Sequence, residues 1–138
     1  MIKRLMAVWL LLFFTSAVYA EESNIIEKVE SSARAWLEGV DSGKYKESWE
    51  NSSALFKTKT SEQEWIKSIT ALRAPRGTMS ARYIATAAAA KSLSGFPDGE
   101  YIVLQFYATF TEKGLALETI TLAKTQNEVW QVVDYSMK

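Results

Sequence analysis

Ten consecutive residues, Tyr101–Phe110, alternate between two kinds of side chain, and successive residues of an extended strand lie on opposite faces. One face is then apolar and carries Ile102, Leu104, Phe106, Ala108 and Phe110. The other is semi-polar and carries Tyr101, Val103, Gln105, Tyr107 and Thr109. This pattern is typical of an antiparallel sheet that is covered on one side only.

Turn residues and further strands surround this run. Pro97-Asp98-Gly99 presets a bend, supplies a side-chain acceptor and allows a positive φ at Gly99, so we predict a hairpin corner and not a reactive site. "LALETITLA" and "VWQVVDYSM" are predicted as the next two strands, separated by a turn at residues 124–128. "TMSARYIATAAAAKSL" is ambiguous, because alanines favour a helix whereas Tyr83-Ile84-Ala85-Thr86 favours a strand. We predict a strand there.

The first half of the chain has helical periodicity instead. A first helix is predicted from Asn24, with Glu27 as its capping partner, to the Asp41-Ser42-Gly43 stop. A second, short helix would place four residues along one side: Tyr45, Trp49, Ser52 and Phe56. A third would begin at Ser61 and end before Pro75. We therefore predict an α+β domain in which three N-terminal helices pack on a curved four-stranded antiparallel sheet.

The first twenty residues have the order of a secretory signal peptide. Lys3 and Arg4 precede a short apolar run, and Val18-Tyr19-Ala20 has the small residues of a cleavage site. The run is shorter than the roughly 20 residues that a spanning helix needs. We expect cleavage after Ala20, a single domain over residues 21–138, and a periplasmic or secreted protein.

Composition excludes several chemistries. The chain has no His and no Cys, so His general bases, Cys nucleophiles and the usual zinc, haem and iron–sulfur ligands are missing, and we predict no cofactor and no metal. Loss of Lys3 and Arg4 would leave two more acidic than basic side chains, without any basic run. Nucleic acid and, after cleavage, membrane surfaces are therefore not expected as partners.

Five segments together resemble a known family. They are "AWLEGVDSGKYKESWENSSALFK", "LRAPRGTMSARY", "GFPDGEYIVLQFYATF", "ETITL" and "VWQVVDY". In order and spacing they resemble the domain-of-unknown-function family 4019, small exported bacterial proteins similar to the cystatin-like, nuclear-transport-factor-like superfamily. The resemblance implies a helical layer against a bent sheet that encloses a cone. It implies no established activity, and fold alone does not choose a function.

Glu118 is the candidate acid, because it shares a strand face with Ala116, Ile120 and Leu122. Inside an apolar cone its pKa would be raised and it could act as a general base with Tyr101 or Tyr107. The alternative is that it is exposed or pairs with an arginine, for which there are three candidates: Arg73, Arg76 and Arg82.

Two classes of function remain open. The favoured one is an exported non-enzymatic domain that binds a small apolar ligand or a protein partner, a second copy included, through its cone or sheet face. The alternative is an isomerase- or hydrolase-like enzyme that uses Glu118 with a Tyr. Hypothetical binding residues are Trp49, Trp65, Tyr101, Tyr107, Glu118 and Arg73, although tryptophans at helical spacing are more typical of a core.

Overall fold

The computed structural model describes the backbone of residues 2–138 and the side chains of residues 21–138. Four α-helices come first: α1 Ile2–Asp41, α2 Tyr45–Glu50, α3 Ala54–Lys59 and α4 Glu62–Arg73. A 3₁₀ turn, Ala74–Arg76, leads into four strands: β1 Met79–Ala90, β2 Tyr101–Phe110, β3 Gly114–Lys124 and β4 Trp130–Met137. This arrangement confirms the predicted α+β class.

The predicted signal peptide, residues 1–20, lies outside the residues whose side chains are described. Its cleavage after Ala20 stays a prediction. Over the described part of the chain, no helix combines the length and the apolar character that crossing a membrane requires.

The four strands form one antiparallel sheet in the order of the sequence, β1-β2-β3-β4. The central register pairs Tyr83 with Tyr107 and Tyr107 with Leu117, so these three side chains lie in one row across the sheet. The ambiguous alanine-rich segment is β1, as predicted. Because its neighbour β2 pairs with it from Met79 to Ala90, with irregularities at Met79/Ala81 and Ile84/Thr86, pairing outweighs the helix propensity of the alanines.

The helices cover one face of the sheet, which we call the inner face. On β2 the five alternate residues predicted to be apolar and buried, Ile102 to Phe110, are all buried. From the helical layer, Val29, Ala33 and Leu37 of α1 and Ile69 of α4 are buried as well. Each large side chain buried in this way contributes about 1.5–3 kcal/mol of transfer free energy.

The second predicted helix is interrupted. α2 ends with Asn51 as its C-cap, and Ser53 caps a new helix, since its Oγ accepts a hydrogen bond from the Phe56 N–H at 3.1 Å. Serine competes for backbone hydrogen bonds and so favours a helix start over a helix interior. The start predicted at Asn24 is also wrong, because α1 continues through it, whereas the cap at Ser61 is confirmed by its bond from the Glu64 N–H at 3.2 Å.

The connection from β1 to β2 is longer than the predicted tight corner, since it spans residues 91–100. The positive φ falls at Gly95, at 84°, and not at Gly99. The hydroxyl of Tyr101 donates to the carbonyl of Pro97, and the Tyr101 ring lies 6.0 Å from that of Phe96. Tyr101 is therefore buried beneath this loop and does not belong to an exposed strip, which corrects the alternation-based assignment.

Candidate functional site

Strand register and helix periodicity bring charged side chains together under the helices. On the inner face, Arg82 of β1 pairs with Ala108, which pairs with Ala116, two residues before Glu118. Tyr135 pairs with Ile120, two residues after Glu118, so its side chain reaches the same place.

Helices α1 and α4 contribute one residue each, and each residue is the last of a stripe of buried side chains. In α1 the stripe Ala33, Leu37 continues at the same four-residue interval to Asp41. In α4 the stripe Trp65, Ile69 continues to Arg73. Together these positions form what we call the buried network: Asp41, Arg73, Arg82, Glu118 and Tyr135.

Arg82 is the centre of the buried network. Its Nε donates to Oε1 of Glu118 at 2.7 Å, and its Nη2 donates to Oε2 of the same carboxylate at 3.2 Å. On its other edge, Nη1 donates to Oδ2 of Asp41 at 2.7 Å and Nη2 to Oδ1 at 3.0 Å. Both forks of one guanidinium are thus used in paired hydrogen bonds, the geometry in which Arg–carboxylate contacts are strongest.

Two further side chains extend this centre. Arg73 Nη2 donates to Oδ1 of Asp41 at 2.7 Å, and the Tyr135 hydroxyl donates to Oε2 of Glu118. Two arginines therefore face two carboxylates, and their formal charges cancel. Burial is deep: the Glu118 side chain has no exposed surface, and the two arginine side chains are 5% and 6% exposed.

The surroundings keep these groups in one protonation state. Burial alone would raise the pKa of Asp41, but hydrogen bonds and charge from Arg82 and Arg73 outweigh it and lower that pKa. Burial also opposes the charge of Arg82, yet Asp41 and Glu118 raise its pKa. The pKa of Tyr135 is raised by burial first and then by the charge of Glu118. At neutral pH, Asp41 and Arg82 are charged and Tyr135 is neutral.

The geometry suits a structural connection better than proton transfer. Both oxygens of Glu118 accept hydrogen bonds, and neither is exposed to a substrate. The network joins α1, α4, β1, β3 and β4. A buried ion pair adds little net stability, but removal of one partner costs about 3–5 kcal/mol because it leaves a buried charge unpaired.

An aromatic cluster lies against the network. The ring of Tyr135 is 5.5 Å from that of Trp36 and 6.1 Å from that of Trp65. Both indole N–H groups are satisfied within the chain: Trp36 donates to the Ser48 carbonyl at 2.9 Å, and Trp65 donates to the Ser48 hydroxyl at 2.9 Å. Satisfied, buried indoles are core residues and do not form a ligand cage.

The structure does not gather the predicted binding residues into one site. Glu118 and Arg73 both belong to the buried network, separated by Arg82 and Asp41, and Trp65 contacts Tyr135. The others lie apart: Trp49 is half-buried and donates to the Thr60 carbonyl, Tyr101 is buried under the 91–100 loop, and Tyr107 is exposed on the opposite face of the sheet.

Sequence reasoning missed Asp41 and Tyr135, and it named three arginines as possible partners of Glu118 without predicting that any of them is buried. Arg73 and Arg82 are in fact buried, and the alternative in which Glu118 pairs with an arginine is the one that the structure shows. The overlooked signal was positional: each missed residue continues a buried stripe or an inward strand face. A charged residue on such a stripe indicates a paired charge.

The uncovered side of strands β1, β2 and β3, which we call the outer face, differs sharply in composition from the inner face. On β4 the same side of the sheet continues with the exposed, charged Asp134, which pairs with Thr121. Eleven positions on β1, β2 and β3 define the outer face: Ala81, Tyr83, Thr86, Ala88, Val103, Gln105, Tyr107, Thr109, Leu115, Leu117 and Thr119. None of them is charged. Tyr83, Tyr107 and Leu115 are 68%, 48% and 65% exposed, so the middle of this face is an apolar and aromatic surface.

The fold is an α+β domain in which a helical layer covers one face of a four-stranded meander and leaves the other face uncovered. Within residues 32–135 the chain matches the family described as "Protein of unknown function (DUF4019)", and it belongs to that family. The match includes all five residues of the buried network and the whole outer face. A search of curated proteins finds no match.

Proposed function

We propose that the chain is an exported, non-enzymatic domain that binds another protein through the outer face of its sheet. Export rests on the leader-like order of residues 1–20. The observation that carries the binding proposal is the charge distribution. Charged residues make up 23% of the chain, yet three neighbouring strands present eleven uncharged positions with exposed tyrosines at their centre.

Protein interfaces have this character at their centre. Charged residues are depleted there, and tyrosine is enriched because it combines a large apolar ring with a polar tip. A stable interface buries about 800 Å² on each partner, so such an interface here would extend beyond the eleven positions to their rim. Since the eleven positions carry no charge, a second copy of the chain would meet this part of the sheet without repulsion between like charges, and the charged Asp134 would lie at the β4 rim.

Binding of a small apolar ligand inside a cone has less support. Leu104, Phe106 and Ile120, which would line such a cavity, have no exposed surface and pack in a single hydrophobic core. A ligand would have to displace side chains that are already close-packed.

The enzymatic alternative also has less support. Glu118 is engaged by Arg82 and Tyr135, and neither tyrosine first considered as its partner lies near it in the register: Tyr101 pairs with Ala123, and Tyr107 pairs with Leu117 and faces outward. A general base must reach the proton that it abstracts. A fully buried carboxylate between an arginine and a tyrosine does not meet this condition.

Site-specific photo-crosslinking tests the proposal in the exporting cell. A photoreactive phenylalanine analogue at Tyr107 is expected to give a covalent adduct, either with a second copy or with another protein. The same analogue at Ser68, an exposed position on α4, serves as the control and is expected to give none.

Light scattering of the purified exported protein identifies the partner. A mass of two chains that becomes one chain in Tyr107→Lys would identify a homodimer. An adduct of another mass with a monomeric pure protein would identify a different partner. If Tyr107 gives no adduct and the protein is monomeric at all concentrations, the proposed function is wrong.

A further inference from the structure

A groove lies between α1 and the turn that joins β3 to β4. Its volume is about 520 Å³, within the roughly 300–1,000 Å³ of sites that bind small ligands. One wall consists of five exposed polar residues of α1: Asn24, Glu27, Lys28, Ser31 and Ser32. The other wall consists of Glu128, Val129 and Trp130, and Val129 is 53% exposed. The groove therefore joins a polar wall to a partly apolar one.

Trp130 differs from the three tryptophans of the helices. Trp36 and Trp65 donate their indole N–H groups to Ser48, and Trp49 donates to a backbone carbonyl. The indole of Trp130 packs against the core, but its N–H meets no acceptor within the described part of the chain. This N–H is also absent from the buried atoms without a partner, so it reaches solvent. Trp130 thus brings a flat apolar ring and a free donor to the groove.

The turn beside Trp130 is fixed by its own hydrogen bonds. The Thr125 N–H donates to the Val129 carbonyl at 2.8 Å, and the Thr125 hydroxyl accepts from the Val129 N–H at 3.2 Å. Between them, Glu128 has a φ of 60°, a left-handed conformation that residues other than glycine adopt infrequently. Such conformations persist where neighbouring contacts hold them, and they are enriched at ligand sites. This wall of the groove is therefore preformed.

The charges in the groove favour an uncharged ligand. Glu27 and Lys28 have opposite signs, and Glu128 lies 3.8 Å from the Nζ of Lys124, which also lies 3.5 Å from Glu100. The groove therefore has no cluster of one sign. Its charged side chains are exposed, so an ion pair with a charged ligand would gain little free energy. Contact with the ring and neutral hydrogen bonds remain as the main sources of affinity.

We infer that this groove, which we call the α1–β4 groove, binds a neutral oligosaccharide. A sugar ring has an apolar C–H face that fits against Trp130, and its hydroxyls both donate and accept, as do Asn24 and Ser31. Asn24 and Ser31 are seven residues apart on α1, about 10 Å along the helix axis. This distance exceeds one sugar ring, so the ligand is a chain of at least two. The groove lies on the helical side of the sheet and is independent of the outer face.

Two-dimensional ¹H–¹⁵N NMR of the purified exported protein tests the inference, because the indole N–H signal of Trp130 reports on the groove. Trp130→Phe identifies this signal by its loss and keeps a ring against the core. The probes are neutral linear tetrasaccharides of glucose, mannose, galactose and N-acetylglucosamine. We expect at least one of them to shift the Trp130 signal saturably. The signals of Trp36 and Trp65 should stay in place, because both indoles are bonded to Ser48 inside the core.

The variants identify the groove residues. Ser31→Ala and Asn24→Ala are each expected to raise the half-saturating concentration of the bound tetrasaccharide about two- to tenfold, the effect of one hydrogen bond. Ser23→Ala is the matched control, because Ser23 is an exposed serine of the same helix that does not line the groove. Its titration should equal that of the wild type. The corresponding monosaccharide should bind more weakly than the tetrasaccharide.

Four results would overturn the inference. The first is no saturable shift of the Trp130 signal with any of the four tetrasaccharides. The second is a shift of all indole signals together, which would indicate non-specific binding. The third is an equal effect of Ser31→Ala and Ser23→Ala. The fourth is tighter binding of the charged dipeptide glycyl-glutamate than of every saccharide, which would assign the groove to a peptide.

Discussion

The two faces of the same sheet differ in where they carry charge. Beneath the helices, the inner face carries Arg82 and Glu118. The outer face carries no charge and exposes Tyr83 and Tyr107. Neighbouring residues on β2 show the contrast most clearly, since Phe106 has no exposed surface and Tyr107 is 48% exposed.

This comparison shows that the composition of each face depends on the groups that are available to contact it. Buried charges are tolerated where other charges from the same fold meet them, as Arg82 meets two carboxylates. Exposed aromatic side chains are tolerated in water, but they contribute binding free energy when another surface covers them. The inner face is complete within one chain, whereas the outer face is the surface for which we propose a partner.

The largest effect is expected from removing the centre of the inner face. Arg82→Met leaves the carboxylates of Asp41 and Glu118 buried without their shared partner, so the free energy of unfolding should fall by about 3–5 kcal/mol. Urea denaturation measures it, with Arg34→Met as a control for loss of a more exposed arginine. A loss below about 1 kcal/mol would show that the network is open to water.

A smaller effect is expected at the tyrosine end of the network. Tyr135→Phe keeps the ring beside Trp36 but removes the hydroxyl that donates to Glu118. A hydrogen bond to a charged group is worth about 1.5–3 kcal/mol. The same denaturation experiment applies, and a stability equal to the wild type would indicate that Arg82 alone satisfies Glu118.

The inner face should also respond to acid. The pKa of Asp41 is lowered in the folded state, so its contribution is complete above its ordinary value of 3.8 and is lost as the pH falls below that value toward the folded pKa. We expect the wild type to lose more stability than Asp41→Asn on acidification from pH 6 to pH 3. Parallel curves for the two proteins would contradict this.

On the outer face a charge should change assembly and leave stability almost unchanged. Tyr107→Lys and Tyr83→Lys are expected to alter the free energy of unfolding by about 0.5 kcal/mol or less, because both rings are exposed. Denaturation measures this alongside the crosslinking above. A loss of several kcal/mol would show that these rings are covered within the folded chain.

Much of the fold could be predicted because it depends on local patterns. Alternation assigned Phe106 to the inner face and Tyr107 to the outer face, and the cap at Ser61 set the start of α4. The network could not be predicted in full, because Asp41 and Arg82 meet only through the packing of α1 on the sheet, which no short segment specifies. Tyr101 was misplaced because a loop of the same chain covers it.

The residues that contact one another in the buried network are far apart in the sequence, and this separation affects the folding kinetics. Arg82 is 41 residues from Asp41 and 36 from Glu118. The contact with Glu118 closes only when β1, β2 and β3 are in register, and the contact with Asp41 only when α1 docks on the formed sheet. Hairpins between successive strands and single helices form earlier, from nearby residues. Interactions made after the transition state slow unfolding and leave the folding rate almost unchanged. The buried charges would then determine how long the folded protein lasts, and the local hairpins how quickly it forms.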